Sequence, residues 1–149
     1  MDRSWETKVL LVAGTPGCGK TTPLCQMCRD GWTVFDDFKA NAFNHSSGFV
    51  VSRKVSALLA ALRDDLRCVL ADIDFCKPDP RAEAESVLRI EAPGLDLAWK
   101  FFANDSPACE ANIRRRGRAS LASDLENLCK YSAIYYIPPA METIGTTQT

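Results

Sequence analysis

A short glycine-rich stretch near the start of the chain has the residue types and spacing needed to hold phosphate. It reads "GTPGCGKTT" from Gly14 onward and fits the pattern G-x-x-x-x-G-K-[ST]. Because glycines carry no Cβ, the backbone N–H groups of such a loop approach a polyphosphate closely. Lys20 is expected on the β- and γ-phosphates, and Thr21 offers a hydroxyl to Mg²⁺. The pattern predicts a nucleotide-phosphate site formed by Gly14, Thr15, Pro16, Gly17, Cys18, Gly19, Lys20, Thr21 and Thr22.

Aspartates follow two of the apolar runs that read as strands. "VFDDFK" contains Asp36 and Asp37, and "CVLADIDF" contains Asp72 and Asp74. Phosphoryl transfer needs a metal near the phosphates and an acceptor held in line, so one carboxylate can take the acceptor's proton while another organises Mg²⁺. Adjacent strand residues point to opposite faces, and Asp36 and Asp37 therefore cannot share one role. We favour Asp36 and Asp72 as functional acids, whereas Asp37 and Asp74 fit helix caps or solvated turns equally well.

The stretch "CEANIRRRGR" carries four arginines on a predicted helix end. Successive helical residues turn by about 100°, so three consecutive arginines cannot all face one ligand. Arg118 shares a face with Arg114 or Arg115 only if the helix continues past Gly117. We expect Arg114, Arg115 or Arg118 to act on the transferring phosphoryl group from a lid. Arg116 is expected to be nearly silent, with compensation of the helix dipole as its simpler role.

The elements that must position these residues alternate between strand and helix, which predicts an α/β fold with a parallel sheet of four to five strands. Strands are predicted at Lys8–Ala13, Trp32–Phe35, Cys68–Ile73 and Leu97–Ala103. Helices are predicted at Gly19–Arg29, Val50–Asp65, Pro80–Ile90, Pro107–Arg116 and Ala119–Tyr131. The tail from Pro138 is expected to be an edge strand or loosely ordered. We interpret residues 1–149 as a single domain.

Composition excludes some classes of function. The chain has 149 residues, 46% of them hydrophobic and 25% charged, which is typical of a globular domain. Its net charge of −1 gives no general attraction to nucleic acid or to an anionic membrane. Seven cysteines without a signal-peptide core favour a reducing, cytoplasmic setting. Cys25 and Cys28 have C-x-x-C spacing, but without a second pair or a nearby histidine we favour packing over zinc binding.

Three blocks of the sequence, in this order, resemble the P-loop kinases of the polynucleotide kinase and zeta-toxin type: "GTPGCGKTT", "DDFK" and "FFANDSPACEANIRRRGR". The resemblance implies a three-layer P-loop kinase fold with an arginine-bearing lid. It implies that Asp36 is the general base for the acceptor and that Lys39 is the basic residue of the second block. The family's aspartate after the third strand corresponds to Asp72, which together with Thr21 is expected to position Mg²⁺. Polynucleotide kinases carry arginine where this chain has Lys39.

The residues and the resemblance together favour an enzyme that uses ATP, or another nucleoside triphosphate, with Mg²⁺. The leading hypothesis is a phosphotransferase that moves the γ-phosphate to a hydroxyl of a small molecule, nucleoside or nucleotide. One alternative is a polynucleotide 5′-hydroxyl kinase, which the net charge does not favour. An alternative of another class is a nucleotide-binding module or slow NTPase switch. The acids after the second strand favour the kinase, because a switch needs no proton acceptor there.

Overall fold

The computed structural model describes residues 8–36 and 53–146. Five strands form one sheet in the order β2-β3-β1-β4-β5, and each neighbouring pair is parallel. The strands are β1 (Val9–Ala13), β2 (Thr33–Phe35), β3 (Cys68–Ala71), β4 (Leu97–Phe102) and β5 (Thr143–Ile144). The helices are α1 (Thr21–Arg29), α2 (Arg53–Arg63), α3 (Pro78–Glu91), α4 (Ser106–Arg116) and α5 (Leu121–Ser132). The predicted parallel α/β sheet is confirmed.

The central strand β1 is apolar throughout because both of its faces are covered. Its five residues, VLLVA, are all buried, as expected for a strand in the middle of a parallel sheet. Leu11 packs in the cluster that contains Leu58 of α2 and Leu88 of α3. Val12 faces the opposite cluster, which contains Leu24 of α1 and residues of α4 and α5. Helices therefore cover both sides of the sheet, which gives three layers.

The third strand ends at Ala71, two residues before the predicted boundary. Asp72 causes this difference, because its carboxylate accepts a hydrogen bond from the backbone N–H of Asp74 at 2.8 Å. That cap starts a short 3-10 helix (Ile73–Cys76), so the chain turns away from the sheet. Asp72 is thereby fixed at the end of β3. Since Ala71 pairs with Val12, this end of β3 lies beside the end of β1.

Smaller differences concern boundaries and the tail. α3 begins at Pro78, where a proline in the first turn costs no helical hydrogen bond. The tail supplies the edge strand β5, which pairs with β4. The start of the helix predicted from Val50 lies outside the described residues. Cys25 and Cys28, expected to pack, are both exposed on α1. No helix in the described ranges is long and apolar enough to cross a membrane.

Candidate active site

The glycine-rich loop connects β1 to α1 and folds tightly on itself. Gly17 and Gly19 have φ values of +78° and +91°, a region that residues with a side chain rarely adopt. A Cβ on Gly14 would lie 2.6 Å from the Cys18 sulfur, so only glycine fits there. The Lys20 ammonium donates to the Gly14 carbonyl oxygen at 3.2 Å and spans the loop. α1 begins directly after it, which directs the free N–H groups of its first turn towards the loop.

The underside of the loop rests directly on α4. The Asn112 side-chain amide donates to the Gly17 carbonyl oxygen at 2.8 Å. The Thr15 hydroxyl and the Cys109 thiol are 3.5 Å apart, and both residues are buried. A Cβ on Gly17 would lie 2.4 Å from the Cys109 carbonyl oxygen. The loop and the helix are therefore in backbone contact, and Thr15 lies beneath the loop.

A buried tyrosine holds the strand ends next to the loop. The Tyr135 hydroxyl lies 3.1 Å from the carbonyl oxygen of Ala13 and 2.6 Å from that of Phe102. These carbonyls belong to the last residues of β1 and β4, and the single O–H donates to one of them at a time. Burial raises the pKa of Tyr135, so the hydroxyl stays protonated and remains a donor. The entry to the loop is thus fixed to the neighbouring strand.

A cavity of about 500 Å³ opens above the loop and collects residues that are distant in the sequence. The loop contributes Pro16 to Thr22, including Lys20. Asp36 reaches the cavity from the end of β2, and two arginines reach it from the end of α4 and the turn that follows. The remaining lining residues from other elements are Ile73, Ile113, Asp124 and Asn127. One cavity therefore combines a phosphate-binding loop, carboxylates and cations.

The buried acid Asp72 follows the end of β3, one residue before Ile73 of the cavity lining. Only 2% of its surface is exposed. The next acid, Asp74, faces α5, where it accepts a hydrogen bond from the Tyr131 hydroxyl at 3.0 Å. Burial, followed by this hydrogen bond to a carboxylate, raises the pKa of Tyr131 to about 12. Asp74 therefore connects the 3-10 helix to α5, and Asp72 stays at the end of β3, beside β1.

The four arginines occupy different environments, which revises the expectation drawn from their spacing. Arg114 forms an ion pair with Glu110 at 2.9 Å on the exposed side of α4. Arg115 donates to the Asn112 side-chain oxygen at 2.8 Å. The arginines that line the cavity are Arg116 and Arg118. Of the three candidates Arg114, Arg115 and Arg118, the structure brings Arg118 to the cavity, and it adds Arg116, which we expected to be silent.

The phase of α4 explains this arrangement. Cys109, Asn112 and Ile113 are buried against the loop, and Arg116 follows Cys109 by seven residues, which places it on the same helix face. The helix ends at Arg116 because Gly117 takes a left-handed conformation with φ +57°. Arg118 is therefore positioned by the turn, and the helical face that we considered for it with Arg114 or Arg115 does not form.

Sequence reasoning missed Asn112, Asp124 and Asn127. Asn112 lies between the buried residues Cys109 and Ile113, a phase that marks it as facing inward. Asp124 and Asn127 are three residues apart on one face of α5 and border the cavity. Lys39 and Asp37 lie outside the described residues, and their roles remain predictions. Within the described ranges, no group of three or more His, Cys, Asp or Glu side chains could hold a metal by itself.

Comparison with solved structures finds chains of similar fold and low sequence identity. The crystal structure of APE1195 aligns with 89% of this chain and 81% of its own, with a TM-score of 0.52 and 20% identity. The likeness is one of fold. A gluconokinase from Sinorhizobium meliloti 1021 aligns with 84% of this chain and 74% of its own, with a TM-score of 0.44 and 20% identity. No protein-family model and no curated protein sequence matches the chain.

Proposed function

We propose that this protein is an ATP- and Mg²⁺-dependent phosphotransferase that moves the γ-phosphate to a hydroxyl group. The observation that supports this best is the shared cavity, in which Lys20 of the loop, Asp36 and the arginines meet. A phosphate loop alone serves any NTPase. A carboxylate in the same cavity is what a hydroxyl acceptor requires, because the hydroxyl must lose its proton as the phosphoryl group arrives.

The loop residues supply the phosphate-binding part of the mechanism. The Lys20 ammonium is held near the loop by the Gly14 carbonyl oxygen and exchanges that partner for a phosphate oxygen when nucleotide binds. The N–H groups at the start of α1 add donors and the positive end of the helix dipole. These groups are preorganised by the positive-φ glycines, so little reorganisation is needed when charge develops in the transition state.

The residues expected to hold the metal have suitable chemistry for it. Thr21 offers a hydroxyl oxygen and Asp72 a carboxylate, and both follow strands or loops that meet at the same end of the sheet. Mg²⁺ prefers oxygen ligands and usually keeps several waters alongside one or two protein groups and the phosphates. Mg²⁺, when bound, would offset the negative charge of the phosphates. Thr21 and Asp72 are therefore the proposed metal residues, directly or through water.

Asp36 acts on the acceptor, and the cavity arginines act on the transferring phosphoryl group. Asp36 is exposed at the end of β2, where an acceptor hydroxyl can reach it, and it takes the hydroxyl proton. Arg116 and Arg118 contribute cations that balance the charge of the transferring group. We propose that the segment around Gly117 forms the lid, since the turn that follows α4 carries Arg118 into the cavity.

An ATP-consumption screen tests the proposal and separates the classes of acceptor. The purified protein is given ATP and Mg²⁺ with nucleosides, sugars, small alcohols or oligonucleotides that carry a 5′-hydroxyl, and phosphorylated product is measured. Product from a small hydroxyl compound supports the leading proposal. Product from oligonucleotide ends alone supports the polynucleotide kinase type that the sequence resembles. Slow hydrolysis that no acceptor stimulates contradicts both and supports a switch.

A further inference from the structure

We infer that Asn112 is a positioning residue that sets the shape of the phosphate loop, and that Arg115 acts through it. Neither residue is needed to touch the nucleotide. The inference deepens the proposed function and rests on it only where nucleotide affinity is concerned. The sequence made Arg115 a candidate for contact with the transferring phosphoryl group. The inference gives it a different role.

The peptide group between Gly17 and Cys18 is held at both of its ends. Its carbonyl oxygen accepts the hydrogen bond from the Asn112 amide at 2.8 Å. Its N–H donates to the Thr15 carbonyl oxygen at 3.2 Å, within the loop. The two ends of a trans peptide point in opposite directions, so this peptide cannot rotate without losing both bonds. The carbonyl bond comes from outside the loop, and Asn112 is its donor.

The surroundings of Asn112 allow little adjustment if this bond is lost. Asn112 is 2% exposed, so water has little access to replace its amide at the Gly17 oxygen. A Cβ on Gly17 would lie 2.9 Å from Ile113 and still closer to the Cys109 carbonyl oxygen, which leaves the loop no room to move towards α4. An unsatisfied carbonyl at this position would favour rotation of the peptide and a different loop shape.

Arg115 fixes which way the Asn112 amide faces. Its guanidinium donates to the Asn112 side-chain oxygen at 2.8 Å, which leaves the NH₂ group directed at Gly17. The reversed amide would place its oxygen against the Gly17 carbonyl oxygen and its NH₂ group against a cation. Both contacts are repulsive, so Arg115 selects the orientation in which Asn112 is a donor to the loop.

This arrangement predicts a kinetic signature that differs from that of a phosphoryl-contacting arginine. A residue that shapes the loop affects every nucleotide that binds there, including ADP. An arginine on the transferring phosphoryl acts mainly in the transition state, so its loss lowers kcat with little effect on ADP affinity. Arg115 is expected to show the first behaviour and the cavity arginine Arg116 the second.

The experiment measures MgADP affinity by calorimetry at pH 8 for Asn112→Asp, Arg115→Gln and the double variant. Asn112→Asp keeps the shape and the Arg115 partner but loses the donor, and we expect its Kd to rise by roughly 10-fold to 100-fold. Arg115→Gln should raise Kd by about 3-fold to 10-fold. The double variant should bind no more tightly than Asn112→Asp alone, because the new buried carboxylate then also loses its guanidinium partner. A Kd within twofold of the parent for a folded Asn112→Asp overturns the inference.

Two control variants separate this role from general destabilisation. Glu110→Gln changes the exposed side of the same helix, and Val55→Ala removes buried volume from α2. Both should leave MgADP affinity within twofold of the parent. If Val55→Ala weakens binding as much as Asn112→Asp does at equal loss of stability, Asn112 has only a packing role and the inference fails. Arg115→Gln alters an exposed residue and remains measurable even where Asn112 variants do not fold.

A measurement without nucleotide distinguishes failure of this inference from failure of the proposed function. The backbone amide NMR signal of Cys18 reports directly on the peptide that Asn112 holds. It should move in Asn112→Asp and in Arg115→Gln, but not in Glu110→Gln. If it moves while the parent protein binds no MgADP, the loop-shaping role stands and the proposed function is wrong. If it stays unchanged in both variants, the inference is wrong whatever the protein binds.

Discussion

The phosphate loop and the arginine run are both stretches of consecutive functional residues, but the structure uses them differently. Residues from Pro16 to Thr22 all line one cavity, because the loop backbone curves around it. The arginines lie on a helix and its end, so their side chains differ in surroundings: Arg114 pairs with Glu110, Arg115 with the Asn112 side chain, and Arg116 and Arg118 line the cavity. A pattern that works through its backbone can be interpreted residue by residue. A run that works through side chains on a helix has to be interpreted by helical phase.

The largest effect on activity is expected from a substitution in the phosphate loop. Lys20→Ala should abolish ATP turnover and leave the fold intact. The lysine acts as a point charge on the phosphates, and its side chain adds nothing to the core. Turnover and circular dichroism are measured together, with Lys130→Ala on the exposed surface of α5 as the matched control. Equal turnover in Lys20→Ala and the parent, with unchanged circular dichroism, would show that this loop is not the phosphate-binding site.

The acid at the end of β2 is expected to give the next largest effect. Asp36→Asn should lower kcat by roughly 10²-fold to 10⁴-fold with little change in ATP binding, because a general base acts chiefly in the transition state. Steady-state kinetics and nucleotide titration check the two halves of this expectation. If Asp37→Asn gives the large loss and Asp36→Asn does not, the alignment of "DDFK" with the kinase element is shifted by one residue.

The arginines test the helical-phase argument directly. Arg116→Ala should lower kcat by roughly 10-fold to 10³-fold for any hydroxyl acceptor, because the residue lines the cavity. Arg114→Ala should change kcat by less than about twofold, since it removes an exposed i,i+4 ion pair with Glu110. A large loss of kcat in Arg114→Ala and a small one in Arg116→Ala would support the expectation drawn from spacing alone. It would contradict the arrangement of α4.

The salt dependence of activity tests whether an arginine contacts a nucleic-acid backbone. An arginine that only contacts a nucleic-acid backbone should raise KM for oligonucleotides and reduce the salt slope by about one when removed. Arg118→Ala is the informative variant, because Arg118 lies just after α4 and is the more exposed of the two cavity arginines. A kcat defect without a change in the salt slope favours a contact with the transferring phosphoryl.

A smaller effect concerns the cysteine inside the loop. Burial raises the pKa of the Cys18 thiol to about 11 from an ordinary value of 9.0. Because the folded state keeps this thiol neutral, its contribution to stability is complete below pH 9 and is lost as the pH rises from 9 to about 11. We expect the Cys18 contribution to fall by about 1 kcal/mol by pH 10. Denaturant unfolding at pH 8 and pH 10 should show a smaller pH-dependent loss in Cys18→Ala than in the parent.

The sheet and the loop could be predicted from the sequence because their signals are local. Runs such as VLLVA and CVLA are apolar throughout, and the loop pattern specifies its own backbone. The early end of β3 could not be predicted from the apolar run, because the cap that Asp72 forms depends on one side-chain hydrogen bond. The partners of the arginines depend on which face of α4 meets the loop. The apolar residues Cys109 and Ile113 indicate that face of the helix. Counting the helical phase from Arg114 alone did not take them into account.

The position of β1 in the sheet also constrains how the protein is made. β1 is the first of the described strands, yet its partners β3 and β4 come much later, and β4 ends at Phe102. At ~5–20 residues per second, a ribosome needs roughly 5–18 s to synthesise the roughly 90 residues between β1 and the end of β4. Pairing with β3 becomes possible once Ala71 has been synthesised, but β1 gains its second neighbour only when β4 is complete. One edge of β1 therefore stays unpaired for longer during synthesis than it would in a meander of the same size.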